Sequence, residues 1–358
     1  MRVGIIIPTL TDGDAVGHDS LGMAAHLRAR GADVSFFVTR CTVEEEFHDI
    51  DDIALHMTSP DDVLIYHHSI GFERGVRAIE RLPAQRKAVK YHNVTPPQFF
   101  KGINSEVMKA CSEGIAEVGR LAATDAHLWA DSVYNGEHIR SFAPGRAYDD
   151  IPPYHHADEL LAIAPDSRAV SGLDDWNTNV LFVGRVVPNK NVPLALDAFE
   201  EFRRRRDGRA RLIIVGDMPV PKHAAEVRKR ILGAGLGEHV LVTGKLTTAQ
   251  LKALYLTADL LLVTSLHEGF CVPLIEAMGL RLPVVAVPTT AIPYTGGEAV
   301  AYAQSSAESI AAAMESVLVD PAGAEAQRQR GWDRYRSHFR NEVIDRRFGE
   351  LVDRLLAS

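Results

Sequence analysis

The chain has 358 residues, 46% hydrophobic and 24% charged, the balance of a soluble globular protein with length for two ordinary domains, each burying its own core. Its formal net charge of −8 is unevenly placed: residues 1–168 hold 16 of 39 Lys/Arg and 25 of 47 Asp/Glu, a net of −9, leaving +1 for the remainder. An acidic first half is the opposite of what a nucleic-acid binder or an enzyme on an anionic membrane needs, and points to a water-soluble acceptor, cationic or saccharide.

Residues 1–10 are apolar, but Thr11-Asp12-Gly13-Asp14 follows too soon for a secretory signal peptide, and no apolar run approaches the ~20 residues of a membrane span. Short strands, several β-branched, are expected at 3–7, 33–38, 63–67, 88–92 and 126–130, separated in places by helical patterns such as 19–30 and 72–82. Ser132 is placed to cap a helix that begins with Val133-Tyr134-Asn135. Ile151-Pro152-Pro153 and Ser171-Gly172-Leu173-Asp174-Asp175 interrupt the alternation and set a domain boundary, with domains at 1–170 and 176–337. The second half repeats it, with strands at 180–183, 211–215, 240–243, 260–263 and 284–287 and a helix at 192–206. Residues 331–358 read as helical, anchored by Trp332, Tyr335, Phe339 and Phe348. Strand–helix alternation of this kind predicts an α/β fold: two Rossmann-like, doubly wound parallel sheets covered by helices on both faces. Three cysteines (Cys41, Cys111, Cys271), odd in number and without metal spacing, fit a reduced, cytoplasmic protein.

In open α/β sheets the ligand lies beyond the carboxyl ends of the strands. There, Glu268 and Glu276 flank a glycine-bearing turn and the first turns of a helix ended by Gly279, where outward-pointing amides suit an anion and the carboxylates suit hydroxyls. A phosphate beside hydroxyls outlines a sugar nucleotide. Upstream, Gly184-Arg185-Val186-Val187-Pro188-Asn189-Lys190-Asn191 follows a strand and precedes a helix, offering two cations. After the first strand, Gly13 and Gly17 lie in a turn leading to His18; it lacks the full G-x-G-x-x-G of dinucleotide binders, but glycine lets a phosphate or sugar approach the main chain. Asp12-Gly13-Asp14 also spells the D-x-D of metal-dependent sugar transferases. His67-His68-Ser69 ends another strand and has no matching carboxylate in the sequence, which makes it a poor metal site.

The Gly184–Asn191 segment and the E-x7-E spacing resemble the retaining glycosyltransferases of family 4, which have the GT-B fold: two Rossmann-like domains facing each other across a cleft. The resemblance implies an acceptor-binding first domain, a donor-binding second domain, and a C-terminal helix, about 338–358, that crosses back onto the first. It implies transfer of a hexosyl group from a UDP- or GDP-sugar to an acceptor hydroxyl with retained configuration, through a front-face step in which a donor phosphate oxygen takes the acceptor proton. Arg185 and Lys190 then stabilise the leaving diphosphate, Glu268 orients the sugar, and Glu276 binds the ribose. Backbone groups of Gly184, Gly269, Phe270, Cys271 and Val272 join them, and Lys245 and Leu246 meet the nucleobase. In the first domain Gly13 or Gly17 approaches the donor, His92 at a strand end touches the hexose, and His18, His67 and His68 line the acceptor side. With two cations at the diphosphate, a metal ion or other cofactor is redundant. His267 shapes the sugar pocket, and 288–298 forms a pocket wall. Two rivals share the cleft: a sugar-nucleotide epimerase, which needs no acceptor, and a sensor that binds donor without turnover.

Overall fold

The computed structural model describes residues 1–11, 13–170, 176–206 and 209–357. Asp12, and with it the D-x-D reading, lies outside the described residues, as does the 171–175 boundary segment. The chain forms two compact units, one of Met1–Lys101, Ser105–His156 and Arg340–Ser358, the other of Gly102–Asn104 and Ala157–Phe339.

In the first unit the strands are β1 (Arg2–Ile6), β2 (Thr9–Leu10), β3 (Asp33–Val38), β4 (Arg40–Cys41), β5 (Phe47–Asp49), β6 (Val63–His68), β7 (Arg86–Tyr91), β8 (His127–Ala130) and β9 (Asp149–Asp150). Seven build one sheet in the order β5-β3-β1-β6-β7-β8-β9, every pair parallel, while β2 and β4 form a small parallel pair. Parallel strands need covered crossovers, so both faces are buried and the strands are nearly continuous apolar runs. One face packs Leu64, Tyr66, Val76, Ile79 and Leu121; the other packs Met23, Leu27, Ile65, Trp129 and Phe348.

The second unit holds β10 (Thr178–Val183), β11 (Ala210–Val215), β12 (Val240–Gly244), β13 (Leu260–Val263), β14 (Val284–Ala286) and β15 (Ala301–Tyr302), in the order β12-β11-β10-β13-β14-β15 and again all parallel. Phe199, Phe202, Val227 and Met314 fill one face, and Leu254, Leu274, Ile275 and Ile292 the other. Both sheets are therefore doubly wound. Their strand order reverses beside β1 in the first and beside β10 in the second, and such reversals open crevices at strand C-termini.

Three boundaries differ from expectation. The first helix spans Ala15–Ala29, so it starts ahead of residue 19 and takes Gly17 into its first turn. Residues 157–170 cluster with the second unit, because Ala157 and Leu160 sit in its core. The tail 331–358 divides: helix Pro321–Arg334 runs into a π turn, Tyr335–Phe339, before helix Asn341–Ala357. Tyr335 and Phe339 are buried in the second core, whereas Phe348 is buried in the first, edge-on to Trp129 at 5.8 Å. Among the described residues no helix is long and apolar enough to cross a membrane.

Candidate functional site

The second unit brings Arg185, Lys190 and Glu268 to the reversal point of its sheet. After β10 the chain turns at Gly184, whose φ of 146° disfavours a side chain. Gly216, just past β11 with φ 144°, crosses the same turn; a Cβ there would stand 2.1 Å from the Gly184 carbonyl oxygen, so only glycine lets the two main chains pass. Arg185 follows, exposed. The 3-10 turn Pro188–Lys190 and Asn191, left-handed at φ 52°, then lead into helix Val192–Arg205.

The loop after β13 is fastened to this turn. Thr264 Oγ1 donates to the carbonyls of Lys190 (3.2 Å) and Asn191 (3.0 Å), Leu266 N donates to Asn189 O (2.7 Å), and Asn189 Nδ2 donates to His267 O (3.1 Å). His267 itself is buried. This places Lys190 Nζ 2.6 and 2.7 Å from the two carboxylate oxygens of Glu268, and Ser265 Oγ donates to Oε1 at 2.7 Å. Glu268 is thus a buried carboxylate met by one ammonium and one hydroxyl, a charge-assisted arrangement. Thr290 Oγ1 accepts from Glu268 N at 2.9 Å and donates to Glu268 O at 3.0 Å, Thr289 donates to Ser265 O, and Thr295 donates to Phe270 O, both at 2.6 Å. The loop 288–298, expected only as a wall, clamps the glutamate-bearing turn.

Helix Val272–Gly279 starts from Cys271, left-handed at φ 77°, with Pro273 in its first turn. Phe270 and Cys271 bury their side chains in the core, while Gly269 and Val272 are half-buried. Burial, then the Glu268 carboxylate, pushes the Cys271 thiol well above its ordinary value, which keeps it protonated and unreactive. Amides in a helix's first turn lack intrahelical acceptors, so this turn can face an anion. Glu276, 2% exposed, accepts from the Tyr255 hydroxyl at 2.6 Å, and burial together with that carboxylate pushes the phenol well up, so the proton stays on tyrosine. The two glutamates therefore sit in different electrostatic surroundings. Exposed Lys245 and half-buried Leu246 follow Gly244, whose carbonyl accepts from Gly216 N at 3.0 Å.

In the first unit, Gly13 is exposed at φ 77°, and a Cβ on Gly17 would stand 2.8 Å from Thr11 O. His18 is half-buried, its ring 5.2 Å from that of His156. One residue on, Asp19 is fully buried and belongs to a cluster that no short motif announces. Lys90 Nζ lies 2.7 Å from Asp131 Oδ1 and donates to Ile151 O at 2.5 Å. His92 has Nδ1 2.8 Å from Asp131 Oδ2 and Nε2 2.9 Å from His67 Nδ1. Asp19 Oδ1 accepts from Tyr154 N at 2.8 Å, while Oδ2 stands 3.7 Å from both His67 Nδ1 and His92 Nε2. Burial raises the Asp19 carboxyl to about 6 and holds His67 well below its ordinary value; on Asp131 burial acts upward but is outweighed by His92 and Lys90, so that carboxyl sits low.

These contacts correct three expectations. His67 and His68 do not line a surface, because both rings are fully buried. His68 pairs with the Tyr66 hydroxyl through Nδ1 and with Gly114 O through Nε2, both at 3.0 Å, and burial lowers it to about 4. Nor is His67 without a carboxylate, since the fold brings it Asp19. Both ring nitrogens of His92 already face protein partners. Sequence reasoning found His67 and His92 but missed Asp19, Lys90 and Asp131. Lys90, a cation set between the apolar Val89 and Tyr91 in a buried strand, was the available signal, because such a charge requires a buried partner.

Residues 164–334 match the model of the family described as Glycosyl transferases group 1. A lipopolysaccharide 1,2-N-acetylglucosaminetransferase of Salmonella typhimurium is 27% identical over 247 residues, 64% of this chain and 55% of that one. A D-inositol 3-phosphate glycosyltransferase of Segniliparus rotundus is 29% identical over 187 residues, 49% of this chain and 40% of that one. The chain thus spans about half the length of the curated relatives it matches. Among solved structures, Anabaena Alr3699/HepE in complex with UDP-glucose superposes with a TM-score of 0.79 at 15% identity, covering 99% of both chains. Sucrose-phosphate synthase from Thermosynechococcus elongatus gives 0.76 at 16%, again over 99% of both. Residues 164–334 thus carry a group 1 glycosyltransferase domain, and the chain as a whole has the GT-B fold.

Proposed function

We propose that this glycosyltransferase moves a hexosyl group from a UDP- or GDP-hexose to a hydroxyl of a soluble saccharide or natural-product-type acceptor, retaining anomeric configuration and using no metal in the transfer. The observation that carries this is the Lys190–Glu268 pair at the reversal point of the second sheet, with Arg185 on the same turn. Cleaving the bond between the anomeric carbon and the β-phosphate oxygen builds charge on the leaving diphosphate. A guanidinium that can grip two oxygens and an ammonium that acts as a point charge lower that barrier directly. Losing one such contact, worth ~3 kcal/mol, slows turnover roughly 100-fold. First-turn amides at residues 269–272 add to the same field. Glu268 orients the sugar hydroxyls, and Glu276, on a rigid helix and steadied by Tyr255, receives the ribose. Lys245 and Leu246 stand beside the base. On the first unit, Gly13 or Gly17 and the main chain at His92 are the candidates for the donor, and half-buried His18 remains the acceptor-side candidate.

The relatives' names agree in substrate class: one transfers N-acetylglucosamine in lipopolysaccharide, and a fold neighbour holds UDP-glucose. The acidic first half favours a cationic or neutral acceptor in the cytoplasm. Thermal-shift titration with UDP, GDP, ADP and dTDP tests the donor half of the proposal. A ligand at 100 times its Kd stabilises the fold by about 2.7 kcal/mol, a shift of several degrees. One nucleotide should give that rise; no rise with any of the four would remove the donor assignment.

A further inference from the structure

The buried cluster of the first unit has an unexplained composition. Two carboxylates, Asp19 and Asp131, share a single ammonium, Lys90, which sits 2.7 Å from Asp131 but 3.9 Å from Asp19. Asp19 Oδ2 and His67 Nε2 are buried polar atoms without a hydrogen-bond partner among the described residues. An oxygen left unsatisfied in a dry interior costs about 1–3 kcal/mol, more when charged.

We propose that Asp19 Oδ2, His67 Nδ1 and His92 Nε2 form a site for a divalent transition ion, zinc above all, that pins helix Ala15–Ala29 to the ends of β6 and β7. The three donor atoms make a triangle with sides of 2.9, 3.7 and 3.7 Å. A point equidistant from all three lies about 2.0 Å from each, the length zinc keeps to imidazole nitrogen and carboxylate oxygen. Two imidazoles and one carboxylate are a donor set that suits zinc or iron(II) and not magnesium or calcium. His92 meets the further requirement of a metal-bound imidazole: its second nitrogen faces a carboxylate, Asp131, at 2.8 Å, which fixes the ring orientation. Lys90 is drawn to the far side of that carboxylate and to Ile151 O, leaving Asp19 as the anion that the ion neutralises. Binding replaces the proton held between His67 and His92, which leaves to solvent. The site lies wholly within the first unit and stands whatever the donor proves to be. The transfer step assigned to Arg185 and Lys190 does not run through it.

The test uses the untagged full chain, stripped with EDTA, desalted, titrated with zinc chloride and desalted again before metal analysis. About one zinc per chain should remain, and cobalt(II) should give the visible d–d bands of a low-symmetry nitrogen–oxygen site. Asp19→Asn and His67→Gln should each weaken zinc binding at least about tenfold. The variant His48→Gln/His56→Gln removes a second imidazole pair, whose rings stack at 3.8 Å, and should keep its zinc. A folded wild-type chain that retains no zinc and shows no cobalt bands holds a proton there instead, which overturns the proposal. So does unchanged binding by the Asp19 and His67 variants.

Discussion

Replacing Glu268 with Gln should separate donor grip from sugar transfer. In this structure both oxygens of Glu268 occupy the Lys190 ammonium at 2.6 and 2.7 Å, with side-chain exposures of 8% and 20%. A diphosphate arriving at the turn must therefore compete with a buried carboxylate for the same cation. A hydrogen bond to a charged group contributes about 1.5–3 kcal/mol net, and the incoming phosphate recovers part of that with Lys190. Glutamine keeps the shape and the Ser265 contact but removes the competing charge. Free UDP or GDP, whichever is the cognate nucleotide, should then bind about tenfold more tightly, equal to ~1.4 kcal/mol. Turnover should move the other way, falling at least about 100-fold, because the carboxylate that orients the hexose is gone. Calorimetry with the nucleotide and a coupled assay of nucleotide release read the two effects on one preparation. Weaker nucleotide binding by the Gln variant, or unchanged turnover, would refute the competition and the role of Glu268 respectively.

Two further outcomes follow from the geometry. Gly216→Ala should destabilise the second unit by at least ~2 kcal/mol and abolish nucleotide-induced thermal stabilisation, since its methyl would drive into the Gly184 carbonyl at 2.1 Å; urea unfolding and thermal shift check both. His68 is held at about 4 by burial, against 6.5 in an unfolded chain, so the unfolded state takes up more protons as pH falls. The stability tied to its neutral form is therefore complete above 6.5 and is lost on acidification; from pH 7 to 5 wild type should lose about 2 kcal/mol relative to His68→Gln in urea titrations.

Much of the architecture was legible because parallel strands are buried on both faces and stand out as short apolar runs. Strands at 33–38 and 260–263 match residue for residue, and the others shift by one or two positions where strand ends fray into turns. Ser132 caps its helix as its position indicated, accepting from Asn135 N at 3.3 Å. The tail was harder to divide. Tyr335 and Phe339 stand four apart on one helical face and Phe348 falls opposite them, yet nothing local says that the first two serve one core and the third another. The loop 288–298 looked passive because hydroxyls such as Thr289 and Thr290 reveal their role only through partners more than twenty residues away. Asp19 and Asp131 were invisible for a related reason: on an amphipathic helix or at a strand end a charge reads as solvent-facing. Only their ion pairs with the buried Lys90 show that both face inward.

The central claim, that cations of the second unit stabilise a departing diphosphate, is tested most directly by the variant Arg185→Gln/Lys190→Gln. Glutamine at 190 can still donate to Glu268, so the circular-dichroism spectrum and melting temperature should stay near wild type. Release of nucleotide from the cognate sugar donor in the presence of acceptor should fall by well over about 100-fold. A folded double variant that transfers sugar at the wild-type rate would contradict the account.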